Sequence, residues 1–409
     1  MDKYFDIKDK VYDIVEKYPE TLDVFVANGF EQLANEKMRK LMGKTISLEM
    51  ALRSKRVNVE LFTNKLIEAI EQNRISTDKT LATKNKVENP DIRIEGVLPC
   101  PVRVPLLEEL NIWMDENKDR FDFKVKYELK SAHIGVDWIR EKIQSHDENT
   151  LADLFISAGF DLFFDEHLMG KFNSRGIFED ITGFDRLNKD FDNDYIDLKD
   201  PRRQYSIIGV VPAVFVVNTE ELRGRKFPRT WGDLLKPEFE NSVSLPVHDY
   251  DLFNAILLNI NKIWGREGII NLGKSLLRSM HPAEMVKSHI KKSNSNIPTV
   301  TVMPYIFTKM IKPESPLKPV WPEDGSIISP IFLLTKKETK DKTKPFVDFL
   351  FSKKLGETLS DKGKFPSTNP EVDNHIEGKK FMWLGWDYIN SQNIGGLLKE
   401  CEKLFHSMV

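Results

Sequence analysis

The chain has 409 residues, which at ~100–200 residues per domain predicts two or three structural units with ample core. Charged residues are 30% and apolar residues 40%, and 60 basic against 63 acidic side chains leave a net charge of −3. That balance is globular rather than disordered, and it excludes a basic surplus for nucleic acid or an acidic tail. Two cysteines, Cys100 and Cys401, exclude a disulfide framework and an all-cysteine metal cluster.

The opening MDKYFDIKDKVYDIVEKYPE mixes charged with apolar residues and has no basic stretch leading into an apolar run. It predicts a cytoplasmic chain that starts at Met1, or an extracytoplasmic one if a leader is removed. No window approaches ~18–20 apolar residues, so no membrane span is expected. Residues 1–72 form a predicted small helical domain. Val11, Ile14 and Val15 make one stripe, which Pro19 ends; Leu22, Phe25 and Val26 make the next, with Gly29 as its stop. Ser47 is placed to cap a helix carrying Glu49, Met50 and Leu52, and Asn58 to cap one carrying Val59, Phe62, Leu66 and Ile70. Residues 73–93 are polar and aperiodic, a linker.

From residue 94 the pattern changes. IEGVLPCPV is an apolar run ending in a proline-flanked turn. PLLEELNIWMDENKDRF reads as a helix and FKVKYEL as a strand; TLADLFISAGFD, YSIIGVVPAVFVVN, NSVSLPV and IPTVTVMPY supply further strands with helical stretches between. Such alternation predicts parallel sheet with crossover helices, and its length predicts two α/β lobes. One helical face over KTKPFVDFLFSKKLGETLSDKG, stopped at Gly363, is followed by the aromatic KFMWLGWDYI and a final helix over GGLLKECEKLF.

Several segments together resemble a known family. RKFPRTWGDLLKPEFENSVSLP carries P-x-T-W-x-D-L-L-x-P-E and follows the long run YSIIGVVPAVFVVNTEEL; FVDFLFSKKLGETLSDKGKFP comes later. In this order, over about 95–375, they resemble the type II periplasmic-binding-protein-like solute-binding proteins of ABC importers, in the ferric-iron, thiamine and polyamine branch. The resemblance implies an α/β, two-lobed fold after an N-terminal small all-α domain. The two-lobed solute-binding domain would be 94–409, with lobe one at 94–205 and 311–409 and lobe two at 212–310. The N-terminal unit looks like a small domain of unknown function in which a cysteine pair often follows the glycine at the place of Gly29. GFEQLANEKMRKLMG has none, which argues against a metal or redox role there. Thr230 and Asp233 would cap a helix and Trp231 would anchor packing.

Ligands of α/β sheets sit beyond the carboxyl ends of the strands, so the residues after each apolar run are the candidates. These are Cys100; Ser157, Gly159 and Asp161; His248 and Asp251; Tyr305; and Glu323 and Asp324 in WPEDGS. Ser157–Gly159 could offer backbone N–H groups to an anion, or be an ordinary turn. His248 and Asp249, with Tyr250 or Tyr305, could ligate metal, although the adjacent tyrosines of ferric-binding members are missing; the bland reading of His248 is a helix cap. Glu323 and Asp324 would suit an amine, or form a solvated turn. Cys100 could face the cleft or be a small buried hydrophobe. Trp383 and Trp386 could stack on ligand or pack the lobes together.

H-E-x-x-H, G-x-S-x-G and G-x-G-x-x-G are missing, so an enzyme is not expected. The expectation is a binder that closes on a small molecule or metal complex, as the solute-binding component of an ABC importer, with no cofactor and no nucleic acid. Its protein partner would be an ABC permease, or a cytoplasmic one met through the N-terminal domain. The alternatives are a cytoplasmic sensor or adaptor on the same lobes, and an enzyme using His248 and Cys100.

Overall fold

The computed structural model describes residues 4–74 except 56 and 58, then 87–131, 137–144, 147–247, 249–279, 297–361 and 364–408. The chain divides into two units, residues 1–91 with 99–151 and residues 92–98 with 152–409. The Asn58 cap and the Gly363 stop lie outside the described residues.

In the first unit, helices Val11–Lys17, Thr21–Ala27, Glu36–Gly43, Leu48–Ser54 and Val59–Arg74 gather around Val11, Ile14, Phe25, Leu52, Phe62, Leu66 and Ile70. The stripes seen in the sequence are this core. Ser47 Oγ accepts from the Met50 N–H at 3.3 Å, capping its helix as its residue type suggests. Gly29 follows Asn28 with φ +87°, a conformation in which glycine alone carries no Cβ penalty. Helix Cys100–Asn117 belongs to this unit, as do a strand at Val125–Ser131 and helix Asp137–Gln144, which lies against Thr21–Ala27. The expected turn around Cys100 is instead the start of a helix, with Pro99 as N-cap. Pro101 fits there because first-turn N–H groups have no partner to lose.

In the second unit one mixed sheet carries the fold. Its strands, numbered along the whole chain, are β1 (Ile92–Leu98), β3 (Leu154–Ser157), β6 (Tyr205–Asn218), β7 (Val243–Leu245), β8 (Leu276–Ser279), β9 (Val300–Pro304), β10 (Leu317–Val320), β11 (Ser326–Thr335) and β12 (Phe381–Met382). Val125–Ser131 takes β2, and a separate small ladder, Asp192–Asn193 with Ile196–Asp197, takes β4 and β5. The order in the second unit is β1–β3–β11–β6–β9–β7–β8, with β10 on β6 and β12 on β11. β1/β3, β7/β9 and β7/β8 are parallel, as expected from strand–helix alternation, whereas β11 is antiparallel to both β3 and β6, and β6 to β9. The centre of the sheet therefore departs from the all-parallel expectation.

All fourteen residues of β6 are buried, and at ~3.3 Å per residue the strand spans about 46 Å. Its first part pairs with β11 and its last part with β9 and β10, so one strand is shared by two halves of the sheet. An uninterrupted apolar run is what a strand covered on both faces requires. The expected single late helical face is two helices, Lys340–Leu350 and Lys353–Ser360; Ser352 between them caps the second by accepting from the Leu355 N–H at 3.2 Å.

Candidate functional site

β3 ends on Ser157, and a short turn leads into helix Phe160–Phe164. Ser157 Oγ accepts from the Gly159 N–H at 3.2 Å and holds the turn closed. β7 leads to helix Tyr250–Ser275, where the Asp249 carboxylate caps by accepting from the Leu252 N–H at 3.3 Å and Asp251 sits in the first turn. These two strand ends converge. A Cβ built on Gly159 would stand 3.1 Å from Oδ1 of Asp161, 3.1 Å from Oδ1 of Asp251 and 3.5 Å from Ser157 Oγ. Glycine thus lets three polar side chains approach one point, where a Cβ would be crowded. From β11, Ser329 Oγ lies 3.2 Å from the Ala158 carbonyl oxygen and 3.3 Å from that of Asp251, tying both loops to the sheet.

The spot is acidic. Asp251 is 7% exposed, and its Oδ2 has no hydrogen-bond partner among the described residues. Burial, then the charges of Asp249 and Asp161, push its carboxyl well above the usual carboxylate range. Burial pushes Asp249 up to about 6 against the pull of the Leu252 N–H. Glu402, on helix Ile394–His406, is raised by burial and by Asp161. One helical turn beyond Asp251, the Oδ1 of the buried Asn254 is also unpaired among the described residues. Carboxylates around the Ser157–Gly159 turn oppose an anion there, and a helix of five residues offers little dipole to offset them.

The other candidates have separate places. Tyr305 follows β9, with its ring edge-on to Trp321 at 5.2 Å and its hydroxyl accepting from Lys309 Nζ at 2.8 Å. Exposed Glu323 pairs with Arg229 at 3.0 Å, and Asp324 Oδ2 accepts from the Trp231 N–H at 2.9 Å; both tie the loop before β11 to helix Trp231–Leu234. Trp383 and Trp386 pack on Phe332 at 6.4 and 6.3 Å, with Trp383 also 6.0 Å from Phe160, the neighbour of Gly159. Cys100 lies in the other unit, and its side chain and the whole of His248 are outside the described residues. Buried Cys401 has its thiol pushed up to about 11 by burial and by Glu400 and Glu402, unsuited to a nucleophile. Among the described residues no three His, Cys, Asp or Glu side chains are grouped to hold a metal ion. None of the described helices is long and apolar enough to cross a membrane.

Sequence reasoning missed two features. Ser329 gave no signal, since it lies inside an apolar strand. Gly268–Ser275, GIINLGKS, has phosphate-loop spacing, but it forms the last turns of helix Tyr250–Ser275 rather than a strand-to-helix loop. Its amides serve the helix, and a Cβ on Gly273 would meet Met408 Cβ and the Phe405 carbonyl oxygen at 2.9 Å, so that glycine serves close packing.

The sequence profile described as bacterial extracellular solute-binding protein matches residues 149–392, more than half of the chain. The chain belongs to that family. A second profile, a domain of unknown function (DUF1858), matches residues 5–63 of this solute-binding protein, the extra helical domain expected from the sequence. A curated relative, the spermidine/putrescine-binding periplasmic protein 1 of Haemophilus influenzae, is 24% identical over 204 residues, which is 47% of this chain and 55% of that protein. The match thus spans about half the length of the relative. Among solved structures, the apo ferric ion-binding protein A of Pasteurella haemolytica has a TM-score of 0.55 at 14% identity, covering 76% of this chain and 97% of that one. The periplasmic binding protein AfuA of Actinobacillus pleuropneumoniae, with fructose-6-phosphate bound, has a TM-score of 0.51 at 17% identity, covering 78% and 98%. These likenesses establish a type II periplasmic-binding-protein-like fold, and the family and the neighbours are binders rather than enzymes.

Proposed function

We propose that this solute-binding protein captures a small cationic amine between two lobes and delivers it as the binding component of an ABC importer. The observation that carries this reading is the convergence of the Asp161 and Asp251 carboxylates beside Gly159. Asp251 Oδ2 is buried with no partner among the described residues, which is costly, and an ammonium group donating to it removes that cost. The name of the spermidine/putrescine-binding relative points the same way.

The lobes would meet along β6 and β11. Ser157, Gly159 and Asp161 come from one side of these strands and Asp251 from the other, so a ligand touching both favours the closed form. Because β10 still pairs with the far part of β6, the chain would return to lobe one along β11. Residues 212–310, with β10, would make lobe two. The extracellular description of the family supports a working place outside the cytoplasm, which fractionation of the producing cell checks.

Calorimetry of the full chain with putrescine, spermidine, ferric citrate and fructose-6-phosphate tests the ligand class. An amine is expected to bind, with compaction in small-angle scattering. Binding of the iron complex or the sugar phosphate alone overturns the reading. Gly159→Ala provides a finer check. Its φ of −81° suits alanine, but the new methyl would stand 3.1 Å from both carboxylates and push them apart. Amine affinity should fall at least tenfold, while the melting temperature moves little.

A further inference from the structure

Helix Glu36–Gly43 has Gly43 as its one fully buried residue. Its inward side is Gly43, where a Cβ would stand 3.0 Å from the Tyr12 nitrogen, and Arg39, which donates to the Leu33 carbonyl at 2.8 Å and lies 3.7 Å from Glu16. Met38, Leu41 and Met42, at i, i+3 and i+4, form one outward ridge, exposed by 36%, 69% and 41%. Met50, on the next helix, Leu48–Ser54, is exposed by 61%. Single exposed hydrophobes are ordinary. Here, however, four of the nine large ones among the described residues lie on two consecutive short helices. At 100° per residue Lys37, Lys40 and Lys44 fall along one flank of the ridge.

We propose that this ridge docks an amphipathic helix of a partner protein whose apolar stripe is edged with acidic side chains. Methionine is the side chain best able to reshape itself around another protein's hydrophobes, and it supplies two of the ridge's three positions. A ridge at i, i+3, i+4 matches the spacing of anchors on a partner helix. Lys37 and Lys44 on that flank set the partner's charge, since Lys40 is taken up by Glu36. A bilayer is the weaker fit: Lys40 is paired with Glu36 at 2.5 Å, Arg39 lies beside Glu16, and the ridge has no aromatic residue to seat at a lipid interface. The proposal does not depend on the identity of the solute.

The test uses the full chain and two fluorescent synthetic helices in anisotropy titrations. Both carry leucines at i, i+3, i+4 and i+7; one is edged with glutamates and the other with lysines. The acidic helix is expected to bind at least tenfold more tightly than the basic one. Met38→Asp with Leu41→Asp should abolish binding, and Lys37→Glu with Lys44→Glu should reverse the charge preference. These side chains are exposed, so the thermal melt should be unchanged, and an unaltered melt is required of each variant. Equal affinity for the two helices, or undiminished binding by the aspartate variant, overturns the proposal. So does binding to phosphatidylserine vesicles, or a concentration-dependent dimer, that the aspartate variant removes, because either gives the ridge another occupant.

Discussion

Asp251→Asn should make the free protein more stable at neutral pH and a much poorer binder. In the folded chain the Asp251 carboxyl titrates well above the ordinary range, because of burial and of Asp249 and Asp161; in the unfolded chain it titrates near 4. Below about pH 4 both states hold the proton, and the contribution to stability is complete. As pH rises the unfolded state releases its proton first, and stability falls until the folded carboxyl also ionises. Asp249 adds a like-signed loss that ends near its own value of about 6. The amide of asparagine does not titrate, so the variant's unfolding midpoint should depend less on pH between 4 and 7 and lie above the wild type's at pH 7. Binding runs the other way. An ammonium group is satisfied by the ionised carboxylate, so amine binding should release a proton and tighten as pH rises. A hydrogen bond to a charged group contributes about 1.5–3 kcal/mol, so Asp251→Asn should weaken binding roughly ten- to hundredfold. Urea titrations and calorimetry in two buffers of different ionisation enthalpy check both halves. A wild type whose stability rises with pH over this range would remove the case for a strained carboxylate.

Much of this arrangement can be read from the residues. The fourteen-residue run 205–218 becomes a strand with the expected bounds, because an apolar stretch of that length can only be satisfied by cover on both faces. Ser157, Gly159, Asp161 and Asp251 stand out as candidates because they follow strand runs. That Asp161 and Asp251, ninety positions apart, approach the same point beside Gly159 depends on how the strand ends meet, and no local pattern encodes it. β11 was hidden. Pro330 cannot donate to a ladder and argues against a central strand, yet it pairs opposite Val210 beside a register shift at Ile331/Phe332. With β11 unseen, neither Ser329 nor the antiparallel centre of the sheet could be expected. Glu323 and Asp324 have the composition of an amine site, but their nearest partners, Arg229 and the Trp231 N–H, belong to the chain itself.

Trp231→Ala should be the most destabilising single change in the second unit. The indole is fully buried, 4.8 Å from the Phe215 ring on β6, and its Nε1 donates to the Gly325 carbonyl at 2.9 Å just before β11. The side chain therefore joins the approach to one crossing strand to the far part of the other. The turn it holds has little freedom: Gly325 has φ +113°, and a Cβ there would come within 2.8 Å of the Phe381 carbonyl carbon. The helix around Trp231 is capped in both directions. Thr230 Oγ1 accepts from the Asp233 N–H at 3.2 Å, and Asp233 Oδ2 accepts from the Arg229 and Thr230 N–H groups at 2.9 and 3.0 Å. Burial would raise the Asp233 carboxyl, but Lys236 and these N–H groups outweigh it and hold it at about 2. Its contribution is therefore present above pH 4 and lost as pH falls towards 2, opposite in sign to that of Asp251. Removing a buried tryptophan costs about 3–5 kcal/mol through lost transfer energy and the cavity left behind. Trp231→Phe keeps most of the packing and leaves the Gly325 carbonyl without its donor, at about 1–3 kcal/mol. Urea unfolding followed by circular dichroism should rank the variants in that order at similar slope. If Trp231→Ala keeps the wild-type midpoint but binds amine less well, the indole acts on the crossing strands' motion rather than on their stability.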